Sequence, residues 1–131
     1  MGRWKARTFT EGELDFMKVL WAQGESTPED IVSALGKSGR EVTGGTVRNV
    51  LAVMIEKGYV KRRKRSKAYL YKAKIDKENA QKNLAQNLLK NAFEGSESLL
   101  MKALLKNQEI HPEELNMIEK LIKDKKLEDK K

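Results

Sequence analysis

Apolar residues in the first half of the chain recur at three and four positions and stop at glycines, the signature of short amphipathic helices. Leu14, Met17 and Trp21, with Phe16 and Leu20 beside them, give one broad apolar face that ends at Gly24. Thr10-Glu11-Gly12-Glu13 precedes it as a capping box, in which the threonine hydroxyl accepts from a free amide of the first turn and Glu13 reaches back. A helix over 11–23 is predicted. Thr27-Pro28-Glu29-Asp30 makes a second start, with a cap residue, a proline at the first helical position and two acids near the positive end of the helix dipole. This helix runs to about Leu35, burying Ile31 and Leu35 with Val32 at the edge, and ends at Gly36. Residues 36–41 read as a loop. Thr43 then caps a third helix that continues to Lys57 and stops at Gly58. Val47, Val50, Leu51, Met54 and Ile55 form its inner stripe, so Gly45, Arg48, Asn49 and Ala52 face outward, with Thr46 at the flank. Gly44 and Gly45 each weaken the first turn by up to about 1 kcal/mol relative to alanine, which points either to close approach of a partner or to an irregular turn.

After Gly58 the pattern changes. Tyr59-Val60-Lys61-Arg62-Arg63 and Ala68-Tyr69-Leu70-Tyr71 are rich in β-branched and aromatic residues, and with Lys64-Arg65-Ser66-Lys67 between them they predict a hairpin. Beyond Asp76 the helical period returns. Leu84, Leu88 and Ala92 with Ala85, Leu89 and Phe93 mark one helix ending at Gly95. A second follows from Ser96, and its Leu99, Leu100, Met101, Ala103, Leu104 and Leu105 leave little polar face. A third opens at His111-Pro112 and shows Leu115, Ile118, Leu121 and Ile122 before fading into the charged tail 123–131. Three such helices cannot hide that much apolar surface alone, and an identical chain is the simplest cover. The expected division is an N-terminal domain over 1–75 and a three-helix dimerisation domain over 76–131.

Charge sharpens the division. The chain has 131 residues and a formal net charge of +8. Residues 1–75 hold 16 basic and 8 acidic side chains, whereas 76–131 hold 11 of each, so all of the excess lies in the N-terminal part. A polyanionic partner is expected there. From 61 to 67, six of seven residues are basic. In isolation such a run is most often a solvated face, but here it lies on a strand pair directly after three short helices.

Composition excludes several chemistries. With no cysteine, disulfides, thiolate metal sites and cysteine nucleophiles are absent. His111 is the single histidine, so neither a Ser-His-acid triad nor a multi-histidine metal centre can be assembled within one chain. Paired with Glu114 it offers at most two metal ligands, and capping the helix that Pro112 begins is the simpler role. No enzyme, cofactor or metal is implied. No apolar run approaches the roughly 18 residues of a membrane span and no signal-peptide core follows Met1, which points to a soluble cytoplasmic protein. Trp21 belongs to the apolar face; Trp4, within Arg3-Trp4-Lys5-Ala6-Arg7, reads either as an arm near nucleic acid or as a tail.

Three helices followed by a basic hairpin is the order of a winged helix-turn-helix, in a fold that is mostly α with a small β-hairpin. In that fold the helix over about 43–57 enters the major groove and the hairpin over about 59–72, the wing, lies along the phosphates. Near the helix start Arg48 suits guanine, Asn49 suits adenine, and Thr46 suits a phosphate or a thymine methyl. The alternative for Arg48 is a surface salt bridge with Glu41 or Glu56. Thr43 and Gly45 join the candidate DNA-binding set at the helix start, and Arg62, Arg63, Lys64, Arg65 and Lys67 join it on the wing. Leu88, Leu89, Phe93, Leu99, Leu100, Leu104 and Leu121 are the candidate dimerisation residues. A winged-helix module for RNA or for protein docking, without operator specificity, is the competing expectation.

The segments 10–21, Thr46-Val47-Arg48-Asn49-Val50-Leu51, Lys57-Gly58-Tyr59-Val60, Ala68-Tyr69-Leu70-Tyr71 and Phe93-Glu94-Gly95-Ser96 stand in the order seen in the penicillinase repressor family, named BlaI/MecI/CopY after its best-known members. The chain resembles that family over most of its length. The resemblance implies a homodimeric transcriptional repressor of a double-stranded DNA operator, with Thr46, Arg48 and Asn49 at the DNA-reading positions and an unidentified inducer or protease as a further partner. Three departures accompany it. Gly45 stands where the family often has a bulky or basic residue, the cysteine motif of copper-responsive members is absent, and Ala103-Leu104 stands where β-lactamase repressors are cut at an Asn-Phe bond.

Overall fold

The computed structural model describes residues 9–107 and 109–129; Trp4 and its basic neighbours lie outside them. Three helices come first: α1 (Glu11–Gln23), α2 (Pro28–Lys37) and α3 (Gly44–Glu56). An antiparallel hairpin of β1 (Val60–Arg65) and β2 (Ala68–Ala73) follows, then α4 (Lys77–Ala92), α5 (Glu97–Asn107) and α6 (Pro112–Asp129). The starts are set by side chains that replace missing backbone partners. Thr10 with Glu13, and Thr27 with Asp30, close reciprocal capping boxes, while Thr43 caps α3 by accepting from the Thr46 amide. Helix α2 continues to Lys37, beyond the expected end at Gly36, because Ser38 donates both its amide and its hydroxyl to the last carbonyls. The hairpin turn is also tighter than expected: Arg65 pairs with Ala68 across Ser66 and Lys67, so Lys64 and Arg65 belong to the strand. Ser66 carries the turn at φ 59°, a left-handed value uncommon outside glycine.

The chain forms two compact units, one ending at Leu88 and one beginning at Leu89. The first is built around Phe16, Met17, Leu20, Ile31, Leu35, Val47, Leu51, Met54, Tyr59, Val60, Tyr71 and Ala80, all buried. Phe9 closes one side, its ring 4.3 Å from that of Tyr59 and edge-on to Trp21. Trp21 is half-buried and donates its indole N–H to the Ile75 carbonyl at 3.0 Å. The first turns of α4 belong to this unit, since Ala80 is fully buried and Leu84 packs on the same core; the unit therefore extends past the boundary expected at residue 75. Two polar contacts tie its elements together. Lys57, just after α3, donates to the buried Glu13 of α1 at 2.7 Å. Ser26, fully buried between α1 and α2, pairs with Tyr71 in both directions, its amide donating at 2.9 Å and its carbonyl accepting at 2.8 Å.

The second unit holds the end of α4 with α5 and α6. Glu94 (φ 51°) and Gly95 (φ 81°) reverse the chain, and the Gly95 amide returns to the Leu89 carbonyl at 2.9 Å. Ser96 then caps α5, its hydroxyl accepting from the Leu99 amide. His111 precedes α6 and its carbonyl accepts from Leu115. The charged segment expected as a fading tail is helical to Asp129, with Lys125 reaching Glu128 and Asp129 at 3.7 and 3.8 Å. Helix α6 buries none of its residues, and Leu99, Met101, Leu104, Leu105, Leu115 and Leu121 are 42 to 60% exposed.

Replacing Leu51, fully buried at the centre of the first unit, by alanine is expected to destabilise it by about 2–5 kcal/mol. Urea unfolding followed by Trp21 fluorescence checks this.

Candidate nucleic-acid interface

Helix α3 presents two unlike faces. Val47, Leu51 and Met54 are buried, so the 3.6-residue period turns Gly45, Thr46, Arg48, Asn49 and Ala52 outward, and all five are exposed. Thr43 donates its hydroxyl to that of Thr46 at 3.1 Å while accepting from the Thr46 amide, which fixes both hydroxyls at the helix start. The first turn is regular despite its two glycines, and they differ in role. A Cβ on Gly44 would stand 3.1 Å from the Arg48 guanidinium, whereas one on Gly45 would meet only the Thr43 hydroxyl at 3.9 Å. Gly44 gives room for Arg48 to fold back, and Gly45 leaves the helix start open.

The hairpin register divides its cations between two faces, because directly opposed residues of antiparallel strands share a face. Arg62 stands opposite Tyr71 and Lys64 opposite Tyr69; Arg63 stands opposite Leu70, Arg65 opposite Ala68, and Lys61 opposite Lys72. On the first face the Arg62 guanidinium lies 4.1 Å above the Tyr69 ring and donates to the Tyr71 hydroxyl at 3.5 Å. That hydrogen bond is the main reason the Arg62 pKa is raised. A groove between this face and α3 is lined by Pro28, Glu29, Arg48, Ala52, Arg62, Lys67, Ala68, Tyr69 and Tyr71. It brings together three of the predicted residues, Arg48 from the helix with Arg62 and Lys67 from the hairpin. Its cations stand over an apolar and aromatic floor, the surface chemistry that suits a phosphate backbone beside base or sugar edges.

The opposite hairpin face carries Lys61, Arg63, Arg65 and Lys72. Two lysines directly across a strand pair repel, and Lys61 and Lys72 add to the positive charge of this face. Arg63 is engaged within the chain: its Nε and Nη2 donate to Glu25 at 2.7 and 2.9 Å. Arg48 is engaged as well, with its Nη2 2.9 Å from Glu29, so the partner is neither Glu41 nor Glu56 but an acid of α2 that the fold brings alongside. Sequence reasoning missed Glu25, Glu29, Lys61, Lys72 and Tyr69. Period-two alternation from Arg63 would have reached Lys61; nothing in local spacing points to the two acids.

The Arg63 hydrogen bond, reinforced by the charges of Arg63, Lys72 and Arg65, holds the Glu25 carboxyl below the usual glutamate range. A folded-state value below the unfolded one means that the pair's stabilisation is present above the ordinary glutamate pKa and is lost as pH falls through the lowered value. In a carboxyl NMR titration, Glu25 is expected to have a lower midpoint than a free glutamate, and Arg63→Ala is expected to move it up. A midpoint unmoved by that substitution contradicts the assignment.

Likeness to known proteins agrees with this geometry. The model of the penicillinase repressor family matches residues 9–124. A penicillinase repressor of Staphylococcus aureus is 24% identical over 112 residues, covering 86% of this chain and 88% of that protein. One of Bacillus licheniformis is 21% identical over 122 residues, covering 93% and 94%. Among solved structures, a homodimeric winged helix-turn-helix DNA-binding domain from Mycobacterium bovis aligns with a TM-score of 0.52 at 19% identity, over 84% of this chain and 85% of that one, and gives the same fold. The DNA-binding domain of the repressor BlaI aligns over 56% of this chain and 88% of its own, at 23% identity and a TM-score of 0.49. Matched from Phe9 at the edge of the first core to Asp124 within α6, the chain belongs to the penicillinase repressor family.

Proposed function

We propose that the protein is a cytoplasmic, homodimeric transcriptional repressor that binds a palindromic double-stranded DNA operator through α3 and the hairpin, and performs no catalysis. The observation that carries this reading is the groove in which Arg48 of α3 faces Arg62 and Lys67 of the hairpin, on the unit that holds the whole positive excess. The division of labour follows from the surfaces. Thr46, Arg48 and Asn49 stand exposed at the start of α3, where side chains reach base edges once a helix enters the major groove. Lys61, Lys64, Arg65, Lys67 and Lys72 supply phosphate contacts without sequence preference. Among the described residues no helix is long and apolar enough to cross a membrane, and the family's repressors act on genes.

A second copy of the chain is the cover for the exposed leucines of α5 and α6. Leu99, Leu104 and Leu121 are 46, 42 and 60% exposed, and Leu88 is 49% exposed, whereas Leu89, Phe93 and Leu100 are half-buried. This much apolar surface on a segment, 76–131, that carries no net charge suits an isologous interface. The homodimeric state of the Mycobacterium bovis neighbour supports the same assembly. Dimerisation matters to repression because tethering makes the second half-site encounter intramolecular and raises avidity by roughly 10²-fold or more. The working division is a DNA-binding part reaching through the first turns of α4 and a dimerising part beyond it.

Selection from a random duplex pool is expected to return a palindrome. A pool enriched instead in single-stranded or unrelated sequences would favour the RNA or docking module. On the selected operator, Arg48→Ala is expected to cost about 1–3 kcal/mol and to relax preference at one base pair per half-site, with little effect on random duplex. Equal weakening on both would make Arg48 a phosphate contact. Leu104→Asp in the full chain is expected to give a folded monomer in sedimentation with operator affinity reduced at least tenfold; a variant that still sediments as a dimer would move the interface elsewhere.

A further inference from the structure

Glu25 lies in the connection between α1 and α2 and Glu29 in the first turn of α2, and each holds an arginine from a different candidate DNA-binding element. Glu25 takes Nε and Nη2 of Arg63 on the hairpin at 2.7 and 2.9 Å. Those are two parallel donors in the fork that would otherwise grip two oxygens of a phosphate. Glu29 takes Nη2 of Arg48 on α3 at 2.9 Å. The folded-back Arg48 lies against Gly44, where any Cβ would press on its guanidinium at 3.1 Å. All four side chains remain open to solvent, at 57 and 31% for Arg63 and Glu25 and 55 and 71% for Arg48 and Glu29. Solvent-exposed pairs of this kind add little to folding, so stabilising the fold is a weak reason for two of them to flank the hairpin, one toward the α3 groove and one on the opposite face.

We propose that Glu25 and Glu29 are internal stand-ins for phosphate, which occupy Arg63 and Arg48 in the free protein and set how weakly it holds non-specific duplex. This inference rests on the DNA-binding reading above and adds the two residues that restrain it. Non-specific affinity comes almost wholly from cations that displace counterions from phosphates. A cation already forked to a carboxylate joins that sum only after exchanging its partner, and the released carboxylate then faces the DNA with its own negative charge. The two acids therefore lower affinity for bulk DNA, the main competitor of any operator.

The test uses the full chain and a fluorescent random-sequence duplex, with binding measured across a salt series for the wild type, Glu25→Gln and Glu29→Gln. Each glutamine variant is expected to tighten binding about two- to fivefold at low salt, the range of an exposed ion pair, and to steepen the slope of log affinity against log salt by about 0.9 per newly made phosphate contact. The gain from Glu25→Gln should shrink, and its steeper slope disappear, in an Arg63→Ala background, and likewise that from Glu29→Gln in an Arg48→Ala background, leaving only the small effect of one negative charge removed. Glu25→Asp and Glu29→Asp, which keep the charge and shorten the reach, should give part of the same gain and serve where a glutamine variant does not fold. An unchanged slope, or a gain that survives removal of the arginine undiminished and so reflects net charge alone, overturns the proposal. Wild-type binding with unmoved variants overturns it alone, whereas a wild type that holds no duplex at low salt overturns it together with the DNA-binding reading.

Discussion

Everything on the DNA-facing surface hangs from the pairing of Ser26 with Tyr71. Ser26 is fully buried, and its two backbone bonds lay one residue of the α1–α2 connection along the outer edge of β2. Its hydroxyl is spent locally, on the Gly24 carbonyl at 3.0 Å. Glu25, the residue before it, is thereby set beside Arg63 of the hairpin. Thr27, the residue after it, begins the capping box of α2 and brings Glu29 to Arg48. Three elements thus take their mutual positions from one buried residue that carries little chemistry of its own. Because both of its backbone groups are satisfied by Tyr71, loss of the pairing would leave buried polar groups without partners, a cost large enough to keep the register single.

The surface that results is balanced between attraction and restraint. Arg62 stacks on Tyr69 and is steadied by the Tyr71 hydroxyl, so part of the wing's charge is held at low entropic cost in a set orientation. Lys61 faces Lys72, a repulsive pair relieved in part by the Glu25 carboxylate, which feels the Lys72 charge. The start of α3 is open at Gly45 and crowded at Gly44. The two adjacent glycines therefore serve different ends: one admits a neighbouring side chain, and the other admits whatever approaches from outside.

The fold was legible wherever structure is decided locally. Thr10 with Glu13 and Thr27 with Asp30 mark helix starts because capping acts across three residues, and the buried stripe of α3 follows from a 3.6-residue period. What could not be read was set at long range or by single residues. Ser26 pairs as a strand one residue long, which has no alternation to detect. Arg48 finds Glu29 nineteen positions away, where spacing along the chain offered Glu41 or Glu56 as its alternative partners, and Arg63 finds Glu25 thirty-eight away, a pairing no local spacing suggests. Helix α6 outran its apolar pattern because lysine and glutamate are good helix formers and pair along its surface. The cations of the hairpin were recognisable as a class from charge alone; which of them are tied to an acid was a matter of tertiary structure.

The lysine pair across the hairpin has a consequence for the stability of the protein. Like charges opposed on neighbouring strands work against the native hairpin, and Glu25, already forked to Arg63, offsets only part of that repulsion. On the DNA-binding reading, a molecule seated on its operator is relieved of that repulsion, and ligand binding to the native state adds to its stability by mass action. Free molecules therefore open more often than bound ones, and the hairpin is the part of the fold whose stability is most closely coupled to occupancy.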